Sequence, residues 1–497
     1  MSAYSDLAAR FSRAAAISNA IGILHWDHAA MMPKGAAASR SESVALLAVL
    51  RHEMVTDPEI GDLIGEAEAA DGLGEWERAN LREIRRAYTI DTALPADLVA
   101  ASSKATSVCE MTWRQARADS DFAALLPSLS EVLSLQRQAG EAKAEKLGLS
   151  VYDALLNDYE PGGRSAKIDA LFDDLADFLP GFTEEALAVQ ARRPQDPPLE
   201  GPFPVETQRA LGVRLMAALG YDFERGRLDV STHPFCGGAD NDVRITTRYD
   251  EADFTSALMG VLHETGHALY EQGRPAGFMG QPVGSARGMS VHESQSLLIE
   301  MQACRSREFL DFAAPIMRDA FGGSGPAWET EALWRRYTRV SRGFIRVDAD
   351  EVTYPAHVIL RYRLERAMIA GDLPLAELPT AWNEGMRELL GVMPPNDRVG
   401  CLQDIHWPSG GWGYFPTYTL GAMTAAQLFA AAKSANPDML PAIARGDFGP
   451  LVAWLRANVH GLGSLYETDE LLTRATGSPL DASHFKAHLK RRYVDEG

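Results

Sequence analysis

Cysteine is scarce. Cys109, Cys236, Cys304 and Cys401 are the only four in 497 residues, and no two form a CxxC pair. That spacing excludes a disulfide framework and a closed, cysteine-rich structural zinc site, and it predicts reduced, mostly buried thiols in a cytoplasmic protein. Long apolar runs are missing too: nothing approaches the about 18 residues of a membrane span. Met1 to Arg13 lacks a basic stretch followed by an apolar one, so no secretory leader is expected. Positive charge is in deficit. Lys+Arg 48 against Asp+Glu 68 leaves −20, which disfavours nucleic acid and anionic membrane surfaces as partners. There is no fixed-period repeat. What remains, 46% hydrophobic and 23% charged, is an ordinary globular composition at a length that can bury a large core.

Histidine is also sparse, 12 in all, which gives weight to the stretch Val261-Leu262-His263-Glu264-Thr265-Gly266-His267-Ala268-Leu269. It contains His-Glu-x-x-His. Residues four apart on a helix lie one turn apart on one face, so His263 and His267 can reach one metal ion. Glu264 stands at the edge of that face, placed to hold and deprotonate a metal-bound water. The metal would lower the pKa of that water to about 7 and polarise a carbonyl. The surroundings predict a helix. Asp250 serves as N-cap with Glu251 and Asp253 in the first turn, Leu258, Val261, Leu262, Thr265 and Leu269 follow helical spacing, and Gly273 with Pro275 supplies a stop. Gly266 inside a helix costs about 1 kcal/mol relative to Ala; close backbone approach beside the metal would compensate.

Most of the remaining chain reads as helix. Helical patterns run from Tyr4 to Leu50, broken at Met31 to Gly35, through several amphipathic segments between 51 and 150, and from Ala166 to Ala191. His25 and His28 flank Trp26-Asp27; the better reading is Trp26 as a core anchor rather than a second metal site. A Pro-rich connector, Arg192 to Pro202, could divide the chain into two helical subdomains. Strand signals are confined to Leu228–Thr232 and Val243–Tyr249, separated by a loop, which predicts a small sheet beside the metal helix. A Gly-rich loop spans Gln272 to Met289, a helix starts near Ser290 with Glu293 at a capping-box position, and helices resume over Glu329–Ala370, Leu375–Leu390 and from Ala422. The segment from Gly391 to Thr419 is aromatic and irregular.

A catalytic zinc takes three protein ligands and keeps one open position. Tyr270 and Gly273 stand where a metzincin would have its Gly and third His, which argues against that class. The alternative is a residue on the next helix, where His292 and Glu293 are adjacent; Glu293 follows the second His by 293 − 267 = 26 residues. Neighbours on a helix point about 100° apart, so only one of them can ligate, and spacing leaves the choice open.

The chain resembles the Taq carboxypeptidase family of zinc metallocarboxypeptidases. The resemblance rests on an ordered set of motifs besides His-Glu-x-x-His: His233-Pro234-Phe235; Asp242-Val243-Arg244-Ile245-Thr246; His292-Glu293-Ser294-Gln295-Ser296; Ile345-Arg346-Val347-Asp348-Ala349-Asp350; and Gly400-Cys401-Leu402-Gln403-Asp404-Ile405-His406-Trp407. It implies one metallocarboxypeptidase domain over 1–497. The fold would be mostly α, a single large helical body with a deep central groove similar to neurolysin and angiotensin-converting enzyme, with a small sheet beside the metal. It implies zinc, or cobalt in its place, on His263, His267 and Glu293, with Glu264 as general base, in a homodimer.

The function expected is a metal-dependent carboxypeptidase that releases C-terminal residues from peptides by attack of a zinc-bound water. Such an enzyme must hold a free carboxylate, and the Arg fork suits one. Arg346 is the first candidate and Arg244 the second; the competing reading for either is an ion pair with Asp348, Asp350 or Asp242. His406 and Tyr418 are the candidate oxyanion donors, with Tyr414 in reserve and His233 lining the pocket. An endopeptidase or dipeptidase on the same scaffold is the alternative. A peptide-binding scaffold with a structural zinc is disfavoured by the lack of cysteine ligands.

Overall fold

The computed structural model describes residues 2–496. Its spine is the helix Pro416–Ala435, and the sequence explains why. Apolar and small residues surround it on all sides, as a helix buried all round requires. Leu420, Met423 and Ala426 pack into one core with the helices Phe122–Leu147, Ser165–Gln190, Tyr354–Ala370 and Leu378–Leu390. Ala425, Leu428, Phe429 and Ala432 pack into a second core with Phe254–Gly273, Arg307–Phe321 and Gly449–Asn458. A smaller third core joins the helices Ala3–Ala30, Pro58–Ala69 and Glu75–Asp91. The molecule is therefore mostly helical, with one small sheet among the described residues. No described helix is long and apolar enough to cross a membrane.

That sheet holds β1 (Gly226–Val230), β2 (Cys236–Ala239) and β3 (Asp242–Thr247) in the order β1-β3-β2. β1 runs parallel to β3 with Leu228 opposite Ile245, and β2 returns antiparallel with Ala239 opposite Asp242. Leu228, Val243 and Ile245 pack on Val261 and Ala268 of the His-Glu-x-x-His helix, so the sheet braces the back of that helix. β2 lies inside the stretch expected to be a loop. Its Cys-Gly-Gly-Ala sequence carries neither alternation nor β-branched residues, so it has no strand signal. Glycine is needed at 238: φ is +113°, and a Cβ there would sit 2.0 Å from the Asp242 carbonyl oxygen.

Three further boundaries differ from the sequence reading. The metal helix is capped by Asp253, whose Oδ1 accepts from Thr255 N at 2.9 Å; Asp250 instead binds Ala252 N in the turn before. The next helix, Met289–Leu297, has Gly288 at its N-cap and no capping box; Glu160, 130 residues upstream, accepts from Ser290 N at 3.1 Å. Glu329–Ala370 is broken between Tyr337 and Tyr354, because Asp350 accepts from the backbone of Ser341, Val352 and Thr353 and folds the intervening chain into a loop.

Candidate metal centre and cavity

The helix Phe254–Gly273 crosses Met289–Leu297 at very close range, and Gly266 allows it. A Cβ at 266 would lie 2.4 Å from Gln295 O and 2.6 Å from Ser296 Cα. This contact brings Glu293 to the two histidines: its Oε2 is 3.3 Å from His267 Nε2 and 3.9 Å from His263 Nε2. The donor atoms of His263, His267 and Glu293 lie within 4.8 Å of one another. The far ring nitrogens are anchored. His263 Nδ1 is 2.9 Å from Glu300 Oε2, and Glu300 is held in turn by Arg305 at 2.5 Å. His267 Nδ1 meets His292 twice, 2.7 Å from its ring Nδ1 and 3.1 Å from its carbonyl oxygen. Two imidazoles presenting Nε2, each fixed from behind and joined by one carboxylate, fit a divalent metal of the catalytic zinc type.

The electrostatics agree with that fit. Burial disfavours charge on His263, but Glu293 and Glu300 outweigh it and push its pKa up to about 10. His267 is held neutral, its pKa pushed down to about 4 by burial and by His292 and His263. Burial also opposes ionisation of Glu293, yet His263 and His267 win and keep it below the usual carboxylate range. A metal would displace the His263 proton and take over its role. Glu264 is different: burial pushes it up to about 7.

A cavity of about 580 Å³ opens over these donors. Pro234, Phe235 and Cys236 from the β2 edge form one wall, and Arg346, Tyr354, Tyr414 and Tyr418 form another. His406 reaches this wall through Tyr418, its Nε2 3.1 Å from the Tyr418 hydroxyl; burial pushes its pKa down to about 4, leaving it neutral.

Arg346 is buried, and its carboxylate partner is Asp404, not Asp348, Asp350 or Asp242. Nε and Nη2 donate to Asp404 Oδ1 at 3.0 and 2.8 Å, while Nη1 donates to the Tyr354 hydroxyl at 3.0 Å. Arg361 takes the other oxygen of Asp404 at 2.6 Å. Two guanidiniums thus share one carboxylate, a formal charge of +1 that reaches the cavity wall through Arg346 and lies otherwise behind it. Asp348 is exposed and Asp350 is occupied by backbone amides.

The structure does not bring Arg244 or His233 to the cavity wall. Arg244 pairs with Asp242 at 2.8 Å and stacks over Trp26 at 4.3 Å, while the His233 side chain is exposed. Trp26 is buried and His25 and His28 are exposed. Sequence reading passed over Glu300, Arg305, Arg361 and the role of Asp404. Glu300 had only a partial signal: it follows Glu293 by seven residues, two turns of a continuous α-helix, but the chain widens into a π-helix over Leu298–Ala303, which no local pattern marks. Asp404 pairs across 58 residues with Arg346 and 43 with Arg361, and no local pattern marks such a partner.

The family described as carboxypeptidase Taq (M32) metallopeptidase matches residues 6–493. Thermostable carboxypeptidase 1 of Thermus thermophilus is 39% identical over 505 residues, covering 99% of this chain and 98% of that protein. The Pyrococcus furiosus protein of the same name is 36% identical over 494 residues, covering 98% of each. Among solved structures, metallocarboxypeptidase 1 of Trypanosoma cruzi superposes with a TM-score of 0.97 at 42% identity over 99% of both chains. The M32 carboxypeptidase of Deinococcus radiodurans does so with 0.93 at 36% identity, again over 99% of both chains.

Proposed function

The chain belongs to the Taq carboxypeptidase (M32) family of metallopeptidases and is a peptide hydrolase, and from that premise we propose that His263, His267 and Glu293 hold zinc, with cobalt as a substitute, for stepwise release of C-terminal residues from peptides. When bound, such an ion polarises the scissile carbonyl and lowers the pKa of a water to about 7. The remaining steps fall to the protein. Glu264 takes the proton of the attacking water and passes it to the leaving amine; burial raises its affinity for that proton. The Tyr418 hydroxyl, kept protonated by burial and braced by neutral His406, donates to the developing oxyanion. Tyr414 packs edge-on against Tyr418 with centroids 5.2 Å apart and shapes the same wall.

Recognition of a free C-terminus is carried by one observation: the unbalanced Arg346–Asp404–Arg361 cluster, a buried net positive charge on the wall facing the metal donors. A substrate carboxylate completes its neutralisation, and an amide does not. We read the chain, 1–497, as one catalytic unit on a deep-grooved helical scaffold of the neurolysin and angiotensin-converting-enzyme kind, working as a cytoplasmic homodimer. The family match across nearly the whole length and the four free cysteines support the single unit and the reducing compartment.

The test is a mass-spectrometric time course on a free-acid peptide and its C-terminal amide, with and without chelator. A ladder of single C-terminal losses from the acid alone, abolished by chelator, is expected. Internal cuts in both peptides would replace this reading with an endopeptidase, and hydrolysis of free dipeptides with no loss from the longer acid would replace it with a dipeptidase.

A further inference from the structure

Behind the metal centre lies a second, larger cavity of about 990 Å³. The two cavities share walls back to back. On the helix Pro416–Ala435, Tyr418 and Ala422 face the metal side, and Leu420 and Thr424, about 200° round, face the second cavity. Ser290, at the start of the helix that carries Glu293, also lines it, beside the buried Glu160 that holds the Ser290 amide.

The lining is cationic in a chain of net charge −20: seven Lys and Arg side chains against three carboxylates. Four of the seven have acidic partners. Arg82 and Arg287 share Glu83 and Glu467, Arg85 takes Glu68, and Lys167 takes Asp469. Among the described residues the other three have none. The Arg86 guanidinium donates only to the Asn157 carbonyl, and its buried Nε meets no acceptor. Arg164 donates only to the carbonyl of adjacent Gly163, at 2.7 Å. Lys146 lines the cavity with no ion pair or hydrogen bond. Burial is the largest influence on Arg86 and weakens its hold on its proton; Glu83, Asp158 and Glu467 act from beyond ion-pair distance and, with Arg287 opposing them, offset only part of that loss. Leu147, Ile168, Leu171 and Leu480 form an apolar wall beside these charges.

We propose that this cavity binds a phosphate-bearing small molecule, its phosphate oxygens held by Arg86, Arg164 and Lys146. Three unpaired cations call for more negative charge than one carboxylate carries, Arg forks match phosphate oxygens, and the volume is that of a nucleotide-sized ligand site.

The experiment is isothermal titration of the full-length, metal-loaded chain with magnesium-complexed ATP and with inorganic tripolyphosphate. Wild type is compared with the double variant Arg86→Gln/Arg164→Gln and with Lys146→Glu, an exposed position whose change leaves folding intact. Saturable binding of one ligand per chain is expected, weakened about a hundredfold in the double variant and about tenfold in Lys146→Glu. Phosphates also chelate metal, and that reaction would be the same in every variant. Equal affinity across the three proteins, or no saturable binding to wild type, overturns the proposal. Tighter binding of ATP than tripolyphosphate would identify a nucleotide-like ligand using the apolar wall; equal binding would identify a simple polyphosphate.

Discussion

Gly266→Ala tests whether the metal site is built by a helix crossing. The new methyl would meet Gln295 O at 2.4 Å, where ordinary contact begins at 3.4 Å, so the helices must part by 3.4 − 2.4 = 1.0 Å. The obstacle is backbone, which cannot rotate aside. Alanine gains about 1 kcal/mol of helix propensity, while overpacking of this kind costs up to about 3 kcal/mol, leaving a net loss of about 2 kcal/mol. In a chain this long the unfolding entropy is on the order of 1 kcal/mol per degree, so Tm falls by only about 2 °C. Metal affinity is the sharper assay. Glu293 rides on the displaced helix, and coordination distances tolerate only about 0.2 Å. Competition against a chromophoric chelator is expected to show affinity falling about 10- to 100-fold. Gly260 on the same helix is the control, because a Cβ there meets nothing within 4 Å; Gly260→Ala gains about 1 kcal/mol and leaves metal affinity alone. If Gly266→Ala behaves like Gly260→Ala, the close crossing does not set the position of Glu293.

Glu264→Gln is expected to bind metal as wild type does and to lose about 10²- to 10⁴-fold in turnover; retained turnover in a metal-replete sample would remove Glu264 from the mechanism. Glu300→Gln should weaken metal binding about 10- to 100-fold by taking the carboxylate from His263 Nδ1, read by the same chelator competition, and no change would mean that His263 needs no such support. Asp404→Asn leaves Arg346 and Arg361 buried without a carboxylate and is expected to cost about 3–5 kcal/mol, measured as a fall in denaturant midpoint; an unshifted midpoint contradicts the charge cluster. His357 is fully buried, and burial with neighbouring Arg361 pushes its pKa down to about 3, so it is neutral in the fold. The unfolded chain takes up its proton as pH drops through about 6.5, so stability is lost on acidification. Between pH 7 and pH 5 wild type should lose about 2 kcal/mol more than His357→Leu; parallel losses would show that His357 does not titrate this way.

Local periodicity accounts for what could be read directly. The four-residue spacing of His263 and His267 is a property of any α-helix, and the turn signals at Met31–Gly35 and Gly273–Pro275 coincide with real helix ends. Strand β2 escaped because its glycines carry no pattern, and the breaks at Asp253 and 338–353 depend on which of several nearby aspartates wins a backbone amide.

By itself, then, the sequence determined a mostly helical chain with two histidines and a glutamate grouped on one helix face, since helical geometry is fixed within a few residues. Only the tertiary structure decided that Glu293 and not His292 reaches the Nε2 side of those histidines, that Glu300 backs His263, and that Arg346 answers to Asp404 rather than to its own motif's aspartates. Those pairings join residues 30, 37 and 58 apart. At such separations a side chain's partner is set by how whole helices pack, and packing depends on shape complementarity across the core rather than on any repeat along the chain.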